Sequence, residues 1–498
     1  MEKNKVFAFS IIFFLSFASV FYFSNNIDLR STGQVYVKSS NVKETASQEV
    51  TASSIISEDI VAIDTNDNNQ LVYQNPDQIF PGPIVGPPPP ALTTGETHAC
   101  FLSTQADTIW CWGGRRIFEK EVLQEVINNV TGEKQLQVFK TSETVTYSTP
   151  FIVLNNNVQA FKGAIAISAG RAHTCALKND GTVWCWAVPF NFENNNLYGQ
   201  LGDGTNTTSE FPVQVLTSKN PKTPLQGIKA ISAGGDHTCA LKNDGTVWCW
   251  GGNGFGELGD NTKIKSNVAV QVIGNLKFTA VGAGQGHTCA IDENTALWCW
   301  GETIQWKLGV GNHLVPHPIV DEKNNQIKGL RTLAHVQTAD RFSAFQIKDN
   351  SLWGIGIIAP GREVGGPNAN IFDPPRQVVD SNNKPIMTIQ ASTGGGVIGH
   401  GCFLNTDLSH TTQCWGSNNY GQLGDGTLIN RQFPIFVADP LGGGAFTNLY
   451  QIEVGRYFTC AIRLTNQQEV WCWGSNNYGQ LGDGTTKDNS LPVRVKLP

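Results

Sequence analysis

The feature that most constrains this chain is a repeated segment in which two cysteines are separated by ten to twelve residues. The clearest copy reads His-Thr-Cys-Ala-Leu at 237–241, Asn-Asp-Gly at 243–245 and Val-Trp-Cys-Trp-Gly at 247–251. Two short apolar segments joined by Asn-Asp-Gly predict a β-hairpin, with Gly245 in the left-handed conformation that the turn requires. The repeat is therefore built from strands and tight turns.

Seven copies follow one another from about residue 91 to the end of the 498-residue chain. Successive copies are 50 to 75 residues apart, which is the spacing of propeller and solenoid repeats. Sparse charge (15%) and 52 glycines favour turns and strands over surface helices. We therefore expect an all-β fold, a seven-bladed β-propeller with four-stranded blades over residues 91–498.

The cysteines predict disulfides across the hairpins, because opposed Cα atoms on neighbouring strands lie about 4.5–5.5 Å apart. In the fifth copy we place Phe345 and Gly354 at the two cysteine positions, so both members of that pair are missing together. A zinc site is disfavoured because the chain contains no Cys-x-x-Cys. The six predicted pairs are Cys100–Cys111, Cys175–Cys185, Cys239–Cys249, Cys289–Cys299, Cys402–Cys414 and Cys460–Cys472.

The tryptophans and histidines of the repeat also have a structural interpretation. In Val-Trp-Cys-Trp the two tryptophans share one strand face, which predicts that they pack between blades. A histidine that recurs in most copies is expected to hydrogen-bond one strand to its neighbour, because a catalytic residue is needed only once. We place Ser343 and Phe458 at the histidine position in the fifth and seventh copies. The recurring histidines are His98, His173, His237, His287 and His400.

The N-terminal segment indicates export. Lys3 and Lys5 precede an uncharged run at 6–23, so residues 1–23 are either a cleaved signal peptide or a membrane anchor. Residues 24–90 are polar and then proline-rich, which predicts a disordered linker. We expect a protein that is secreted or anchored at the cell envelope, with 6–23 as a possible membrane tether. Oxidised cysteines suit that location.

Charge and motifs exclude several functions. The net charge is −6 and no lysine- or arginine-rich block occurs, which argues against nucleic-acid binding. The Gly-rich turns are not followed by Gly-Lys-Ser/Thr, so they do not indicate a phosphate loop. No acid, base and nucleophile stand out as a unique set. We expect no catalytic or metal residues, no cofactor and no enzymatic activity, in a monomer that binds an unidentified protein.

The candidate binding residues lie where the copies differ. The connection after the second Trp-Cys-Trp segment is longer than the others, and the connection in the first copy, 114–150, is longer still. The segment Phe118–Asn128 inside it has helical periodicity. Equivalent loops of a rotational repeat emerge on one face, so we predict one protruding lobe with hot-spot residues. These candidates are Arg115, Arg116, Phe118, Phe190 and Phe192.

The order Ala-Gly-x-x-His-Thr-x-Ala-Leu, Asp-Gly-x-Val-x-x-Trp-Gly and Gly-x-x-Gly-x-Leu-Gly, clearest at 233–259 and 169–202, resembles the repeat of the regulator of chromosome condensation family. The resemblance covers roughly residues 91–498, in a cysteine-rich exported variant of bacterial type, and implies the propeller. That family includes GTPase exchange factors, a plant ultraviolet-light receptor and a bacterial β-lactamase inhibitor. Arg171, Gly235 and Gln285 stand where the light receptor has tryptophans, which argues against light sensing.

Two functions therefore remain in contention, with an enzyme as a third and weaker hypothesis. The first is a non-catalytic binding scaffold outside the cytoplasm. The alternative is a guanine-nucleotide exchange factor that acts on a small GTPase after delivery into another cell. We also expect the segment 91–94 and the C-terminal segment 491–497 to meet in one blade and close the ring.

Overall fold

The computed structural model describes residues 91–498 with several gaps, and four short strands before them. The gaps are 104–105, 128–133, 156–157, 188–195, 303–312, 322–324, 334, 337–341, 348, 360–361, 364–375, 395–398, 408 and 466–467. The chain divides into two compact units, Met1–Pro81 and Gly82–Pro498.

The first unit contains two strand pairs, Ile11–Phe13 with Phe21–Phe23 and Asp64–Thr65 with Leu71–Val72. Apart from these strands, the predicted signal or anchor at 1–23 and the predicted linker at 24–90 lie outside the described residues. Among the residues that the structure describes, no helix has the length and apolar character needed to cross a bilayer.

The second unit contains six blades, A to F, each built on four antiparallel strands in consecutive order. Blade A contains the strands Ala91–Thr94, His98–Ser103, Thr108–Gly113 and Phe151–Ile152. Blade B contains Ala164–Ala169, His173–Lys178, Val183–Ala187 and Val213–Gln214. Blade C contains Ile228–Ala233, His237–Lys242, Val247–Gly251 and Ser266–Gln271. Blade D contains Phe278–Ala283, His287–Asp292, Leu297–Gly301 and His313–Pro318. Blade E contains Thr388–Gly394, His400–Asn405, Thr412–Gly416 and Arg431–Phe436. Blade F contains Leu449–Val454, Phe458–Leu464, Gln468–Gly474 and Asn489–Arg494.

The prediction of seven four-stranded blades is wrong, because the fifth copy does not form a blade of this type. It forms an irregular sheet of Leu330–Leu333, Phe342–Ile347 and Leu352–Ala359, and the last of these pairs with both Arg362–Glu363 and Arg376–Gln377. The segment between its first two strands is longer than the loop that joins the first two strands of each blade. Part of that segment, His335–Val336, pairs in parallel with blade E and adds a fifth strand there.

The hairpin between the second and third strands follows from its turn chemistry. In blade C, Gly245 has φ +81° as predicted, and its N–H donates to the carbonyl of Lys242 at 3.0 Å. The Asp244 carboxylate accepts from the backbone N–H and the hydroxyl of Thr246, which fixes the second half of the turn. Cys239 and Cys249 are then directly opposed in the register. A short hairpin, Leu216–Lys219 with Lys222–Pro224, connects blades B and C.

The expectation that the two ends of the repeat array share one blade is also wrong. Ala91–Thr94 lies in blade A, and Asn489–Arg494 lies in blade F. Side chains close the ring between these blades: the Gln451 amide accepts from the N–H of Leu92 at 2.9 Å and donates to its carbonyl at 2.8 Å. The indole of Trp112 in blade A donates to a carbonyl of blade F at 2.9 Å.

The first insertion is a strand pair, so the helical periodicity of Phe118–Asn128 does not correspond to a helix. Arg115–Ile127 and Lys134–Thr146 pair in antiparallel register without a bulge, and we call them the arm. At about 3.3 Å per residue, thirteen-residue strands extend roughly 40 Å, twice the length of a blade strand. The arm pairs with no other strand among the described residues. It is inserted between the third and fourth strands of blade A.

Candidate functional site

The recurring histidines form hydrogen bonds between blades. All five rings are buried, and in four of the five the Nε2 atom lies 2.7–2.9 Å from a threonine Oγ1 of the next blade. We call each such contact a His–Thr lock. The four locks are His98–Thr174, His173–Thr238, His237–Thr288 and His400–Thr459.

Two of the threonines also fix the protonation of the histidine. Thr288 donates its hydroxyl to the carbonyl of Glu257 at 2.9 Å, and Thr459 donates to the carbonyl of Gln422 at 2.9 Å. Because the single hydroxyl proton is used there, each threonine must accept from the Nε2–H of its histidine. Burial lowers the pKa of His237 and of His400 to about 3, which keeps both rings neutral.

A glycine lies three residues before the ring in every blade except E, and close approach to the ring requires it. A Cβ on Gly234 would lie 2.7 Å from the His237 ring and 2.2 Å from the carbonyl oxygen of Gly284. Gly455 has the same relation to the Phe458 ring, with a separation of 2.2 Å. The Ala-Gly-x-x-His pattern is therefore a packing motif, which argues against a catalytic role for the histidine.

The disulfides and tryptophans complete this scaffold. All twelve cysteines are joined in the six pairs expected, with Cα–Cα distances of 4.0–4.1 Å. The second tryptophan of the repeat is buried, and in blade C the Trp250 indole donates to the carbonyl of Gln200 in blade B at 2.9 Å. The first tryptophan is half-buried in blade C, where Trp248 donates to the Thr246 hydroxyl, and it is buried in blade F, where it is Trp471.

The structure corrects the alignment of the fifth copy. Ala344 faces Gly354 in the register, so Ala344, and not Phe345, occupies the first cysteine position. Phe342 faces Gly356 as His237 faces Gly251, so Phe342, and not Ser343, occupies the histidine position. Ser343 then takes the place of the lock threonine.

Two kinds of loop meet on one side of the ring, which we call the loop face. The first kind is the Gly-x-x-His loop, and the second is the loop after the third strand that contains Gly-x-Leu-Gly. Tyr420 of the second kind lies 5.1 Å from Tyr457 of the first, between ring centroids. Phe255 likewise packs beside Gly286 of the next blade. Tyr198 and Phe255 are each 38% exposed, so this face presents aromatic side chains.

Buried asparagines shape these loops, and the sequence reasoning missed them. Asn253 accepts from the N–H of Leu258 at 3.0 Å and donates to the carbonyls of Thr262 and Ile264. Asn196, Asn418 and Asn476 accept in the same way from the leucine five positions later. The fixed Asn-x₄-Leu spacing was a readable signal. These asparagines are buried, and their hydrogen bonds hold the loop in shape.

Ion pairs cross blade boundaries on the loop face. Arg171 of blade B contacts both carboxylate oxygens of Asp236 in blade C at 2.7 Å, and Arg456 of blade F pairs with Glu96 of blade A. Burial raises the pKa of Asp236 despite the arginine beside it. Within the described residues, no cluster of three or more histidine, cysteine or carboxylate side chains could hold a metal ion.

The predicted binding residues fall on the arm or outside the described part of the chain. Arg115, Arg116 and Phe118 lie in the first arm strand, opposite Thr146, Val145 and Glu143. Phe190 and Phe192 lie outside the described residues, so their expected proximity to the arm stays a prediction.

The base of the arm abuts blade F. The N–H of Gly484 donates to the carbonyl of Ser148 at 2.8 Å, and Gly479 packs against the Ser148 backbone. Both glycines belong to the loop after the third strand of blade F. The arm therefore emerges from the loop face, at the junction of the first and last blades.

A further insertion went unnoticed in the sequence. The third strand of the irregular sheet continues to Ala359 and turns back through Arg362–Glu363. This hairpin occupies the same connection as the arm, between third and fourth strands. The loop face is thus modified at blades A and B and at the irregular sheet, while blades C, E and F keep the short loop.

Two family models match the chain, and both are described as the regulator of chromosome condensation (RCC1) repeat. One matches residues 164–186, 228–257 and 450–480, and the other matches 180–241, 244–291, 414–462 and 468–498. Together the matched segments contain the strands of blades B, C and F, the first strand and most of the second strand of blade D, and the last two strands of blade E. The arm lies outside every matched segment.

Among curated proteins, the chain is similar to the ultraviolet-B receptor UVR8 of Arabidopsis thaliana, with 24% identity over 67% of this chain and 70% of the receptor. It is 27% identical to the human E3 ubiquitin-protein ligase HERC2 over 67% of this chain, but this spans only 5% of the ligase. It is 26% identical to the mitochondrial RCC1 domain-containing protein RUG3 of Arabidopsis thaliana over 67% of this chain and 58% of that protein.

Solved structures support the fold. Human WBSCR16 matches with a TM-score of 0.52 and 20% identity, over 71% of this chain and 86% of that one. Yeast RCC1 (Prp20) bound to Kap60 matches with a TM-score of 0.53 and 16% identity, over 70% and 78%. At these identities the likeness describes the propeller fold and carries no function.

Proposed function

Because the chain carries repeats of the regulator of chromosome condensation family, we propose that it is a non-enzymatic propeller scaffold that binds a protein partner outside the cytoplasm. The binding surface is the loop face, and the arm is its main contact element. One observation carries this proposal: the repeated histidines, cysteines, second tryptophans and asparagines are buried, whereas the copies differ in the connections on the loop face.

The composition of the loop face supports a protein partner. Tyr198, Phe255, Tyr420 and Tyr457 lie on this face, and the side chain of Arg171, which is 42% exposed, lies on the same face. Tyrosine and arginine are enriched in protein interfaces and in their energetic hot spots. Positive and negative groups alternate here as ion pairs, so the face carries no single-sign field for a nucleic acid.

The disulfides support a location outside the cytoplasm. Six buried disulfides with no free cysteine suit an oxidising compartment and are rare in reducing ones. The positively charged start and the apolar run before residue 24 favour export as well, because this order is typical of an export signal.

The role of the arm in binding can be tested by substitutions that reverse two of its charges and remove one aromatic side chain. The variant Arg115→Glu/Arg116→Glu/Phe118→Ser alters the arm, and Lys219→Glu/Lys222→Glu alters the exposed hairpin after the fourth strand of blade B as a matched control. With a partner identified by crosslinking to the full oxidised chain, we expect the arm variant to bind at least about 30-fold more weakly, because hot-spot residues contribute 2 kcal/mol or more. The control variant should bind as the wild type does.

The same preparation separates this proposal from the exchange-factor alternative. A nucleotide-release assay against a panel of small GTPases should show no acceleration by the full chain. Acceleration that disappears in the arm variant would favour exchange activity and overturn the scaffold proposal. Equal binding by the arm variant and the wild type would overturn the role given to the arm.

A further inference from the structure

We propose that two copies of this chain associate through their arms: the second arm strand, Lys134–Thr146, pairs antiparallel with the same strand of another copy. The product is a four-stranded sheet in which the two first arm strands, Arg115–Ile127, form the outer edges. The chain would then be a dimer and not the monomer expected from the sequence. The inference does not depend on the proposed function, whose candidate residues on the arm lie in the first arm strand.

The arm is a sheet of only two strands. These strands pair over thirteen residues without a bulge, and within the described part of the chain neither pairs with a third strand. A two-stranded ribbon is marginally stable in water, and a sheet usually needs three or more strands to be stable by itself. The outer edge of each strand has backbone N–H and C=O groups that can pair with a further strand. The arm can therefore gain stability by accepting one.

The two edges of the arm differ in charge. Charged residues hinder the addition of a strand, and proteins place them on edges that stay unpaired. The first arm strand has six of them, Arg115, Arg116, Glu119, Lys120, Glu121 and Glu125. The second arm strand has three, Lys134, Lys140 and Glu143. Its other residues are mostly β-branched, aromatic or leucine, and it contains no proline, so it is the edge better suited to pairing.

Symmetry limits how either strand can pair with its own copy. In an antiparallel pair of identical strands, one residue stands opposite itself, and its neighbours pair at equal distances on both sides. In the first arm strand, the centres that give the longest pairings run from Glu119 to Leu123. Each of them opposes like charges: Glu119, Lys120 or Glu121 meets its own copy, or Glu125 meets one of these glutamates. Like charges directly opposite each other destabilise a strand pair, which disfavours this edge.

The second arm strand has a symmetric register without such a conflict. With Phe139 at the centre, the pairing covers residues 134–144, and Phe139 stands opposite its own copy. Aromatic residues opposite each other stabilise an antiparallel pair. The charged residues all stand opposite uncharged ones: Lys134 opposite Thr144, Lys140 opposite Val138, and Glu143 opposite Gln135. This complementarity indicates a second copy of the chain as the occupant of the edge.

The position of the arm leaves room for this pairing. The arm extends roughly 40 Å from the loop face, and its base is fixed where Ser148 accepts from the N–H of Gly484. The pairing ends at Thr144, before the strand itself ends at Thr146. Because the paired strands are antiparallel, the two propellers lie at opposite ends of the shared sheet. Neither ring has to change for the arms to pair.

Sedimentation equilibrium of the full oxidised chain tests the association. We expect the wild type to have twice the mass of one chain at micromolar concentrations. Phe139→Lys should raise the dissociation constant of the dimer at least about tenfold, because two lysines would stand opposite each other. Val122→Lys is the matched control, since Val122 stands opposite Phe139 inside the arm but not on the paired edge. It should dimerise as the wild type does.

A mixing experiment separates charge repulsion from damage to the arm. Phe139→Lys and Phe139→Glu should each be monomeric by themselves, whereas an equimolar mixture should form a mixed dimer, because opposite charges then meet at the centre. A wild type that stays monomeric at these concentrations would overturn the proposal and leave the edge to a strand of another protein. A Phe139→Lys variant that dimerises as the wild type does would also overturn it.

A single introduced cysteine tests the register, because all the natural cysteines are paired. Phe139→Cys should form a disulfide between two chains under mild oxidation, since directly opposed Cα atoms of antiparallel strands lie about 4.5–5.5 Å apart. Val122→Cys should remain uncrosslinked under the same conditions. Equal crosslinking by the two variants, or none by either, would contradict the pairing centred on Phe139.

Discussion

Acid should destabilise this protein through its buried lock histidines, and one substitution isolates the effect. The ring of His237 is fully buried, and burial lowers its pKa from 6.5 to about 3. In the unfolded chain the same imidazole has its ordinary pKa, so below pH 6.5 the unfolded state binds a proton that the folded state excludes. Stability from this group is complete above about pH 6.5 and is lost progressively toward pH 3.

The size of the loss follows from the two pKa values. A pH of 5 is 1.5 units below the pKa of 6.5 that the imidazole has in the unfolded chain, while the folded ring stays neutral. Protonation of the unfolded chain therefore lowers the free energy of unfolding by about 2 kcal/mol at this pH. Phenylalanine occupies this position in blade F with the same glycine behind it. His237→Phe therefore removes the titration at the cost of one hydrogen bond, about 1 kcal/mol.

The two terms have opposite effects and predict a crossover. His237→Phe should be about 1 kcal/mol less stable than the wild type at pH 7.5 and about 1 kcal/mol more stable at pH 5, with equal stability near pH 6. Urea unfolding with disulfides intact, followed by tryptophan fluorescence across this pH range, measures the difference. Phe458→Leu, at the same position in blade F, is the control and should change stability by the same amount at every pH. A destabilisation by His237→Phe that is equal at pH 7.5 and pH 5 would refute the reasoning.

Three further substitutions test the scaffold. Replacing both Cys239 and Cys249 by alanine should lower the free energy of unfolding by about 2–3 kcal/mol, because a short loop is no longer closed in the unfolded chain; oxidised wild type should show no thiol to an alkylating reagent. Gly234→Ala should lower the free energy of unfolding by about 2–3 kcal/mol or more, because its Cβ would lie 2.2 Å from a backbone oxygen. Thermal unfolding measures this loss, and an unchanged Tm would contradict the packing argument. Trp250→Phe should cost about 2–3 kcal/mol in urea unfolding, through the smaller ring and the lost bond to Gln200, and a loss below 0.5 kcal/mol would contradict it.

Sequence reasoning reached the repeat chemistry because the repeat is local. The Asn-Asp-Gly turn fixes the register of each hairpin, and the register places the cysteines opposite each other. The interblade hydrogen bond of the histidines was likewise predictable, because recurrence in most copies indicates a structural role. These inferences need only neighbouring strands.

The errors arose where the copies diverge. In the fifth copy, the pair Ala344 and Gly354 has the same separation of ten as Cys239 and Cys249, yet the alignment was shifted by one at the first member. Because of that shift, Phe342 was not recognised as the counterpart of His237, nor Ser343 as the counterpart of Thr238. The long segment after Leu333 and the continued third strand make this sheet irregular, and neither has a turn signal of the repeat type.

The arm was misread because two periodicities compete in it. Apolar residues in its first strand fall at helical spacing, while the second strand, Lys134–Thr146, supplies the backbone partner that decides in favour of a ribbon. A pairing thirteen residues long cannot be inferred from one strand by itself. The closing of the ring between separate blades depends on side chains such as Gln451, which hydrophobic patterning does not reveal.

We propose that the repeated residues form the scaffold and that the arm binds the partner. The most direct test is the affinity of a purified, crosslink-identified partner for the wild type, the arm variant and the Lys219→Glu/Lys222→Glu control, with circular dichroism to compare their folds. We predict native spectra for all three and a loss of binding, at least about 30-fold, in the arm variant only. Unchanged affinity in a correctly folded arm variant would contradict the claim.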